Sequence, residues 1–145
     1  MAVSAPPTRA STRARRTGYV IAVLVNLALL VGVNVWPGWD AAPFLTGETQ
    51  LVLPWVNASI AVNLLANAVY FFRDPTWLKS VGDIVTLGVG VFALVRIWQV
   101  FPFAPGTDSM DWTLVVRIVL AVGITGSCIG MLVALATFVR SVRTV

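Results

Sequence analysis

Four long stretches of mainly apolar residues follow one another along the chain. They cover residues 19–36, 49–72, 81–101 and 112–139. A bilayer core of about 30 Å requires about 20 apolar residues in a helix, and all four stretches fall near or above this length. Because backbone groups cannot stay unpaired in lipid, each stretch is predicted to be a transmembrane helix. The pattern therefore predicts an all-α fold, a four-transmembrane-helix bundle that occupies residues 18–140.

The segments outside the four spans are short and polar. Residues 1–17 are rich in Ala, Pro, Ser, Thr and Arg, so they are predicted to form a disordered basic tail that is drawn to anionic lipid headgroups. Residues 141–145 are predicted to form a second short tail. The sequence Arg73-Asp74-Pro75 predicts a tight turn between the second and third helices, with Asp74 as the N-cap of the third.

Most of the basic residues lie on one side of this four-span arrangement. They precede the first span, flank the turn between the second and third spans, and follow the last span: Arg9, Arg13, Arg15, Arg16, Arg73, Lys79, Arg140 and Arg143. The loops on the other side contain neither Lys nor Arg. The positive-inside rule therefore predicts that both termini lie in the cytoplasm, an N-in/C-in orientation.

The composition excludes several classes of protein. Hydrophobic residues make up 58% of the chain and charged residues only 11%, too few charges for a water-facing surface. The net charge of +4 comes mainly from residues at the membrane edges, so no nucleic-acid partner is predicted. With no histidine and one cysteine, the chain lacks histidine bases and ligands and an internal disulfide. No catalytic residue, metal site or cofactor is predicted, and the chain is not expected to be an enzyme.

Ionisable residues inside a span are candidates for function, because each is costly in lipid unless it is paired or hydrated. Asp83 lies about one turn inside the third span, and Asn63, Asn67 and Asn26 are predicted to lie at similar depth or nearby. One interpretation is a hydrated polar site in which Asp83 binds a proton or a cation. The structural alternative is that Asp83 pairs with Lys79 and that the asparagines join the helices.

A second candidate site is predicted towards the other side of the membrane. Arg96 and Arg117 lie at similar depth in the third and fourth helices, and Glu48 begins the second helix. One interpretation is an anion site, with further polar members at that level: Asn34, Asn57 and Gln99. In the structural alternative the arginines extend to the interface or pair with nearby acids.

Small residues follow one face of the fourth helix, where Gly126 and Gly130 form a GxxxG step. Such a step lets a second helix approach closely, which indicates either packing within the bundle or a homo-oligomer contact. Helical phase places Arg117 roughly opposite Gly126, so Arg117 is expected to lie off the packed face and to meet either lipid headgroups or a partner subunit.

Five short segments of the chain form a recognisable set: Asn34-Val35-Trp36-Pro37-Gly38-Trp39, Ala42-Pro43-Phe44-Leu45-Thr46, Arg73-Asp74-Pro75, Gly82-Asp83 and Arg96-Ile97-Trp98-Gln99-Val100-Phe101-Pro102-Phe103. Together they resemble an uncharacterised family of small four-span integral membrane proteins of high-GC bacteria. The resemblance covers about residues 18–140 and implies a four-span fold in the bacterial cytoplasmic membrane, but no activity.

These patterns support two functional hypotheses of different classes. The first is a non-enzymatic accessory or scaffold subunit of a membrane complex, with the lipid bilayer and a membrane-protein partner or a second copy of the chain as its contacts. The alternative is a small oligomeric transporter or channel with its polar site around Asp83.

Overall fold

Four long helices account for most of the computed structural model, which describes residues 11–104 and 112–143. They are α1 (Thr12–Asn34), α2 (Thr49–Phe72), α3 (Thr76–Val100) and α4 (Trp112–Arg143), with a short 3₁₀ turn at Trp39–Ala41. All four helices are long and apolar enough to cross a membrane. The prediction of an all-α fold with four transmembrane helices is therefore confirmed, whereas the N-in/C-in orientation stays a prediction.

Helix α1 begins earlier than the apolar pattern predicted. It starts at Thr12, and the Ser11 side chain caps it by accepting a hydrogen bond from the Ala14 backbone N–H at 3.2 Å. Residues 12–17 are therefore helical, and the prediction that they belong to a disordered tail is wrong. The remainder of that predicted tail, residues 1–10, lies outside the described residues.

Helix α3 also begins about one turn before its predicted start. The N-cap position belongs to Pro75, without a side-chain hydrogen bond, so the prediction that Asp74 caps this helix is wrong. The Asp74 carboxylate instead accepts hydrogen bonds from Arg15 and Tyr19 of α1. The reason is that a charged donor from a neighbouring helix competes with the backbone N–H groups for the same oxygen.

The helices alternate in direction and form an open row. Within the described residues, extensive packing joins only consecutive helices, so α1 and α4 are the two edges of the row. One end of the row, here called the basic end, carries the basic side chains Arg13, Arg15, Arg16, Arg73, Lys79, Arg140 and Arg143. The opposite end, called the aromatic end, carries Trp36, Trp39, Phe44, Phe101, Phe103 and Trp112. The large apolar side chains face outward along the helices, as expected where lipid is the solvent.

Close packing between α3 and α4 depends on two glycines of α4. A Cβ atom on Gly130 would lie 3.1 Å from Cδ1 of Leu87, and one on Gly123 would lie 3.4 Å from Cδ1 of Leu94. The two glycines are seven residues apart in α4, and the two leucines that they contact are seven residues apart in α3. This is the spacing of an antiparallel coiled-coil contact. Gly126 is different, because nothing lies within 4 Å of a Cβ placed there. The GxxxG step predicted as one packed face is therefore divided, with only Gly130 against α3.

The two loops at the aromatic end are joined by backbone hydrogen bonds. The Thr46 N–H donates to the Pro102 carbonyl at 2.8 Å, and the Ala104 N–H donates to the Phe44 carbonyl at 2.8 Å. Phe101, with a left-handed φ of 48°, ends α3 and turns the chain towards this contact. The connection between α1 and α2 is thus fixed to the segment that follows α3.

The packing of α4 on α3 predicts opposite effects for its two central glycines. Gly130→Leu should lower the free energy of unfolding by about 1–3 kcal/mol, because the new side chain overlaps Leu87. Gly126→Leu, the matched control with the same gain in helix propensity, should leave stability unchanged or raise it slightly. Thermal unfolding of both variants in detergent, followed by circular dichroism, measures the difference. Equal losses in the two variants would contradict this placement of the interface.

Candidate functional site

Two buried tyrosines lie at the centre of the basic end. Tyr19 of α1 is 8% exposed and Tyr70 of α2 is 5% exposed, and their ring centroids are 5.5 Å apart with the planes tilted by 57°. A buried phenol requires a hydrogen-bond partner for its hydroxyl. Each of these two hydroxyls bonds to a different carboxylate, so the ring pair connects two ion pairs.

The first ion pair connects α1 to the turn between α2 and α3. Arg15 Nε lies 2.7 Å from Oδ2 of Asp74, and the Tyr19 hydroxyl donates to the same oxygen at 2.9 Å. Both donors come from α1 and are one helical turn apart. Charge-assisted hydrogen bonds of this kind are roughly twice as strong as neutral ones. Asp74 therefore fixes the start of α1 against the end of α2.

The second ion pair lies on α3. Lys79 Nζ is 2.7 Å from Oδ2 of Asp83, one turn further along the helix. The Tyr70 hydroxyl lies 3.3 Å from Oδ1 of Asp83 and 3.1 Å from the Lys79 carbonyl oxygen, and Lys79 Nζ lies 5.5 Å from the centre of the Tyr70 ring. The structure thus contains the Lys79–Asp83 pair of the structural alternative and adds a phenol from α2. These residues form the tyrosine cluster: Arg15, Tyr19, Tyr70, Asp74, Lys79 and Asp83.

The tyrosine cluster also requires a residue without a side chain at position 82. A Cβ atom on Gly82 would overlap the Tyr70 hydroxyl. Gly82 therefore makes the space in which Tyr70 reaches α3. Sequence reasoning missed the tyrosines, because a tyrosine at a span edge is typical of an interfacial belt. The Gly82-Asp83 pair is the one local signal that a large side chain approaches α3 there.

A groove between α3 and α4 adjoins the cluster. Its volume is about 660 Å³, and Asp83 and Asn63 both line it. The other polar side chains in its wall are Thr76, Lys79, Ser80, Thr86 and Thr137. The structure therefore brings two of the four residues of the predicted polar site together.

The asparagines of the spans are bound to their own helices. Asn63 donates to the Ser59 carbonyl at 3.0 Å, and Asn67 donates to the Asn63 carbonyl at 2.8 Å. Asn26 donates to the carbonyl of Ala22 at 2.8 Å. Neither Asn67 nor Asn26 is among the residues that line the groove beside Asp83. Their amide donors satisfy local backbone acceptors, which is how a polar side chain avoids an unpaired group in lipid.

At the aromatic end the predicted anion site is not assembled. The guanidinium of Arg117 lies over two rings of α3, 4.8 Å from the Trp98 centroid and 4.6 Å from the Phe101 centroid. Arg96 donates to the Gln99 side chain at 3.2 Å. Within residues 11–104 and 112–143, no ion pair joins either arginine to Glu48. The prediction that Arg117 faces away from the bundle is wrong, because its cation is held by aromatic rings of the adjacent helix.

The remaining polar pair of this level joins α1 to α2. Asn34 and Asn57 each donate an amide N–H to the other's carbonyl oxygen, at 2.8 and 2.9 Å. This reciprocal contact uses one N–H group and the carbonyl oxygen of each side chain, and Asn34 also donates to the Leu30 carbonyl at 2.9 Å. Asn34 and Asn57 therefore connect helices rather than form part of a common site with the arginines.

The chemistry available at the basic end is ion pairing and hydrogen bonding. Each carboxylate of the tyrosine cluster has a cation and a phenol among its partners. Among the residues that the structure describes, no group of three or more His, Cys, Asp or Glu side chains is placed to hold a metal ion. The tyrosine cluster thus resembles a structural connection between α1, α2 and α3, with the polar groove of Asp83 beside it.

The fold and this site define a polytopic α-helical membrane protein with four candidate spans. No family model, no curated protein and no solved structure matches the chain. The resemblance to a family of high-GC bacteria therefore stays a prediction.

The fit of Tyr70 against α3 can be tested at Gly82. Gly82→Ala should lower the free energy of unfolding by about 1–3 kcal/mol, since the methyl group displaces the Tyr70 hydroxyl from both of its acceptors. Gly32→Ala, where nothing lies within 4 Å of the added Cβ, is the matched control and should not destabilise the protein. Thermal unfolding in detergent reports both values. A loss at position 82 no larger than at position 32 would refute the contact.

The two arginines of the aromatic end should differ in their effect on stability. Arg117→Gln removes a cation from two rings and should cost about 1 kcal/mol more than Arg96→Gln, which removes one exposed hydrogen bond. Both variants lose one positive charge, so each is the control for the other. Unfolding in detergent, followed by Trp fluorescence, measures the difference, and equal stabilities would show that the rings do not hold Arg117.

Proposed function

We propose that the chain is a non-enzymatic accessory or scaffold subunit of a larger membrane complex. The proposal places it in a bacterial cytoplasmic membrane with both termini in the cytoplasm. The observation that carries it is the combination of internally paired polar groups with an open row of helices. Asp74 and Asp83 are paired within the chain, while the outward faces of the edge helices α1 and α4 have no helix packed extensively on them in the described part of the chain.

The pairing of the carboxylates favours a structural role. A site that carries ions must exchange its ligands, whereas Asp83 already has Lys79 and Tyr70 as partners. Replacing those partners by a transported ion would require desolvating it at this site. The cluster is well suited to hold the ends of α1, α2 and α3 in register. A subunit that presents a rigid surface to another protein needs its helices fixed in this way.

Helix α4 supplies the surface best suited to a partner helix. It packs extensively on α3 alone within the described residues, and its opposite face presents the exposed side chains Val122, Ile129 and Leu132. Gly126 lies on the same helix with open space where a Cβ would stand. Van der Waals contact at small residues is a main source of helix association in lipid. We therefore place the partner contact along α4.

The alternative function is a small oligomeric transporter or channel. The observation that favours it is the groove of about 660 Å³ beside Asp83, with Asn63 and the hydroxyls of Ser80, Thr86 and Thr137 in its wall. A second copy of the chain placed over this groove would be needed to enclose a path, because one open row of helices does not surround a channel.

The deciding experiment is purification of the full chain from its native host in mild detergent, with mass spectrometry and native size measured on one sample. The proposal expects stoichiometric co-purification with other membrane proteins. Gly126→Leu should reduce that association while the variant still folds, and Gly32→Leu on α1 is the matched control. If the chain purified only as a homo-oligomer, without other membrane proteins in any sample, the accessory proposal would be refuted.

Asp83→Asn separates the two functions. In the accessory proposal this variant assembles with its partners as the wild type does, because Tyr70 keeps a hydrogen-bond acceptor at position 83. In the transporter alternative the same variant abolishes a pH-dependent flux across proteoliposomes while the protein remains folded. Flux in the wild type that disappears in this variant would establish the alternative.

A further inference from the structure

A second groove lies at the basic end, between the start of α1 and the end of α2. It has a volume of about 450 Å³. Its wall combines two arginines, two threonines and two apolar residues: Thr12, Arg13, Arg16, Thr17, Val20 and Phe71. It is separate from the groove beside Asp83 and has no member of the tyrosine cluster in its wall.

The groove carries positive charge without a counter-charge from the described residues. Within residues 11–104 and 112–143, no carboxylate lies within 4 Å of Arg13 or Arg16. The nearby carboxylate of Asp74 pairs with Arg15, which lies between them in sequence. Arg13 and Arg16 are three residues apart on one helical face, so their charges repel each other. An anion between them would remove that repulsion.

Phe71 positions one of the two arginines for such an anion. The guanidinium carbon of Arg16 lies 5.7 Å from the centre of the Phe71 ring. A cation held against an aromatic face keeps the N–H groups on its edge available. The planar edge of an arginine matches two oxygens of a phosphate, which is the geometry of bidentate recognition.

The apolar part of the groove continues along α1. Val20 in the wall is followed at helical spacing by Leu24 and Leu27, and all three are exposed. Residues three, four and seven apart share one face of a helix. A ligand with its phosphate at Arg13 and Arg16 would therefore have an apolar surface for a hydrocarbon chain. Because the groove lies at the end of a candidate span, we expect it to lie near the level of the lipid phosphates in a bilayer.

We propose that this groove binds an anionic phospholipid. The phosphate would lie between Arg13 and Arg16, and one acyl chain would follow Val20, Leu24 and Leu27. Anionic headgroups are favoured over zwitterionic ones because no acid of the described residues lies beside the two arginine charges. The proposal is independent of whether the chain acts as a subunit or as a transporter.

The test is lipid binding by the delipidated full chain, followed by native mass spectrometry in a neutral detergent. The probes are a short-chain phosphatidylglycerol, a phosphatidylcholine with the same acyl chains, and glycerol 3-phosphate without chains. The wild type should prefer phosphatidylglycerol to phosphatidylcholine by about tenfold or more. The double variant R13Q/R16Q should lose about 30-fold in affinity for phosphatidylglycerol, which corresponds to about 2 kcal/mol.

The control R73Q/R143Q removes the same charge at the same end, from two exposed residues outside the groove. It should retain affinity within about threefold of the wild type. A second variant, R13K/R16K, keeps the charge but loses the planar edges, so its affinity should lie between those of the wild type and R13Q/R16Q. Unfolding temperatures of all variants separate loss of binding from loss of fold, and the lysine variant carries the test if the glutamine variant unfolds.

Three results would overturn the proposal. Equal losses in R13Q/R16Q and R73Q/R143Q would indicate diffuse attraction to the basic end. Equal affinity for phosphatidylcholine would indicate an apolar contact without headgroup recognition. If glycerol 3-phosphate bound as tightly as the diacyl lipid, the ligand would be a free phosphate compound and the acyl-chain surface would have no role.

Discussion

A phenol that is buried among helices has no access to water, so its hydroxyl must find a partner within the protein. The tyrosine cluster meets this requirement at the point where three helices end. Tyr70 of α2 contacts both neighbouring helices. Its ring packs against the Tyr19 ring of α1, and its hydroxyl lies near the Lys79 carbonyl oxygen and the Asp83 carboxylate of α3. The positions of α1 and α3 relative to α2 both depend on it. The groove beside Asp83 and the groove at Arg13 and Arg16 both lie at these helix ends.

The two interfaces of α3 are stabilised by different means. Towards α2 the contact is polar at the basic end and continues with Trp55 stacked on Phe92 at 5.8 Å. Towards α4 the contact is a close approach of backbones at Gly123 and Gly130. The directional hydrogen bonds between α2 and α3 specify the register of these two helices. The close approach of α3 and α4 increases the van der Waals contact along their length. Helix α3 is therefore the element to which the rest of the row is fitted.

The sequence predicted the helices better than their contacts. Hydropathy placed the start and end of α2 and the start of α4 where the structure has them, because a span is defined by lipid thickness. It failed at Thr12 and Thr76, where the helices begin several residues before the apolar stretches. At the start of α1 the Ser11 side chain caps the helix, whereas the start of α3 has no side-chain cap hydrogen bond, and neither arrangement leaves a trace in hydropathy.

The polar site around Asp83 was predicted only in part, because the sequence gives the depth of a residue but not the rotation of its helix. Asp83 and Asn63 were selected by their depth, and depth follows directly from the sequence. The neighbours Tyr19 and Tyr70 depend on the rotation of each helix about its axis, which the neighbouring helices determine. The same rotation explains why Arg117 lies on Trp98 although its phase relative to Gly126 was estimated correctly. The error was to take Gly126 as the centre of the packed face.

The open row has a consequence for biogenesis. Within the part that the structure describes, extensive packing joins only helices that follow one another in the chain, so each of α2, α3 and α4 packs on the helix that precedes it. A span that leaves the ribosome therefore finds its docking partner already in the membrane, and none must wait for a later one. Closed bundles, in which the first and last helices touch, cannot be completed until synthesis ends. Local contacts of this kind also favour rapid folding, so the chain is suited to assemble stepwise while it is being translated.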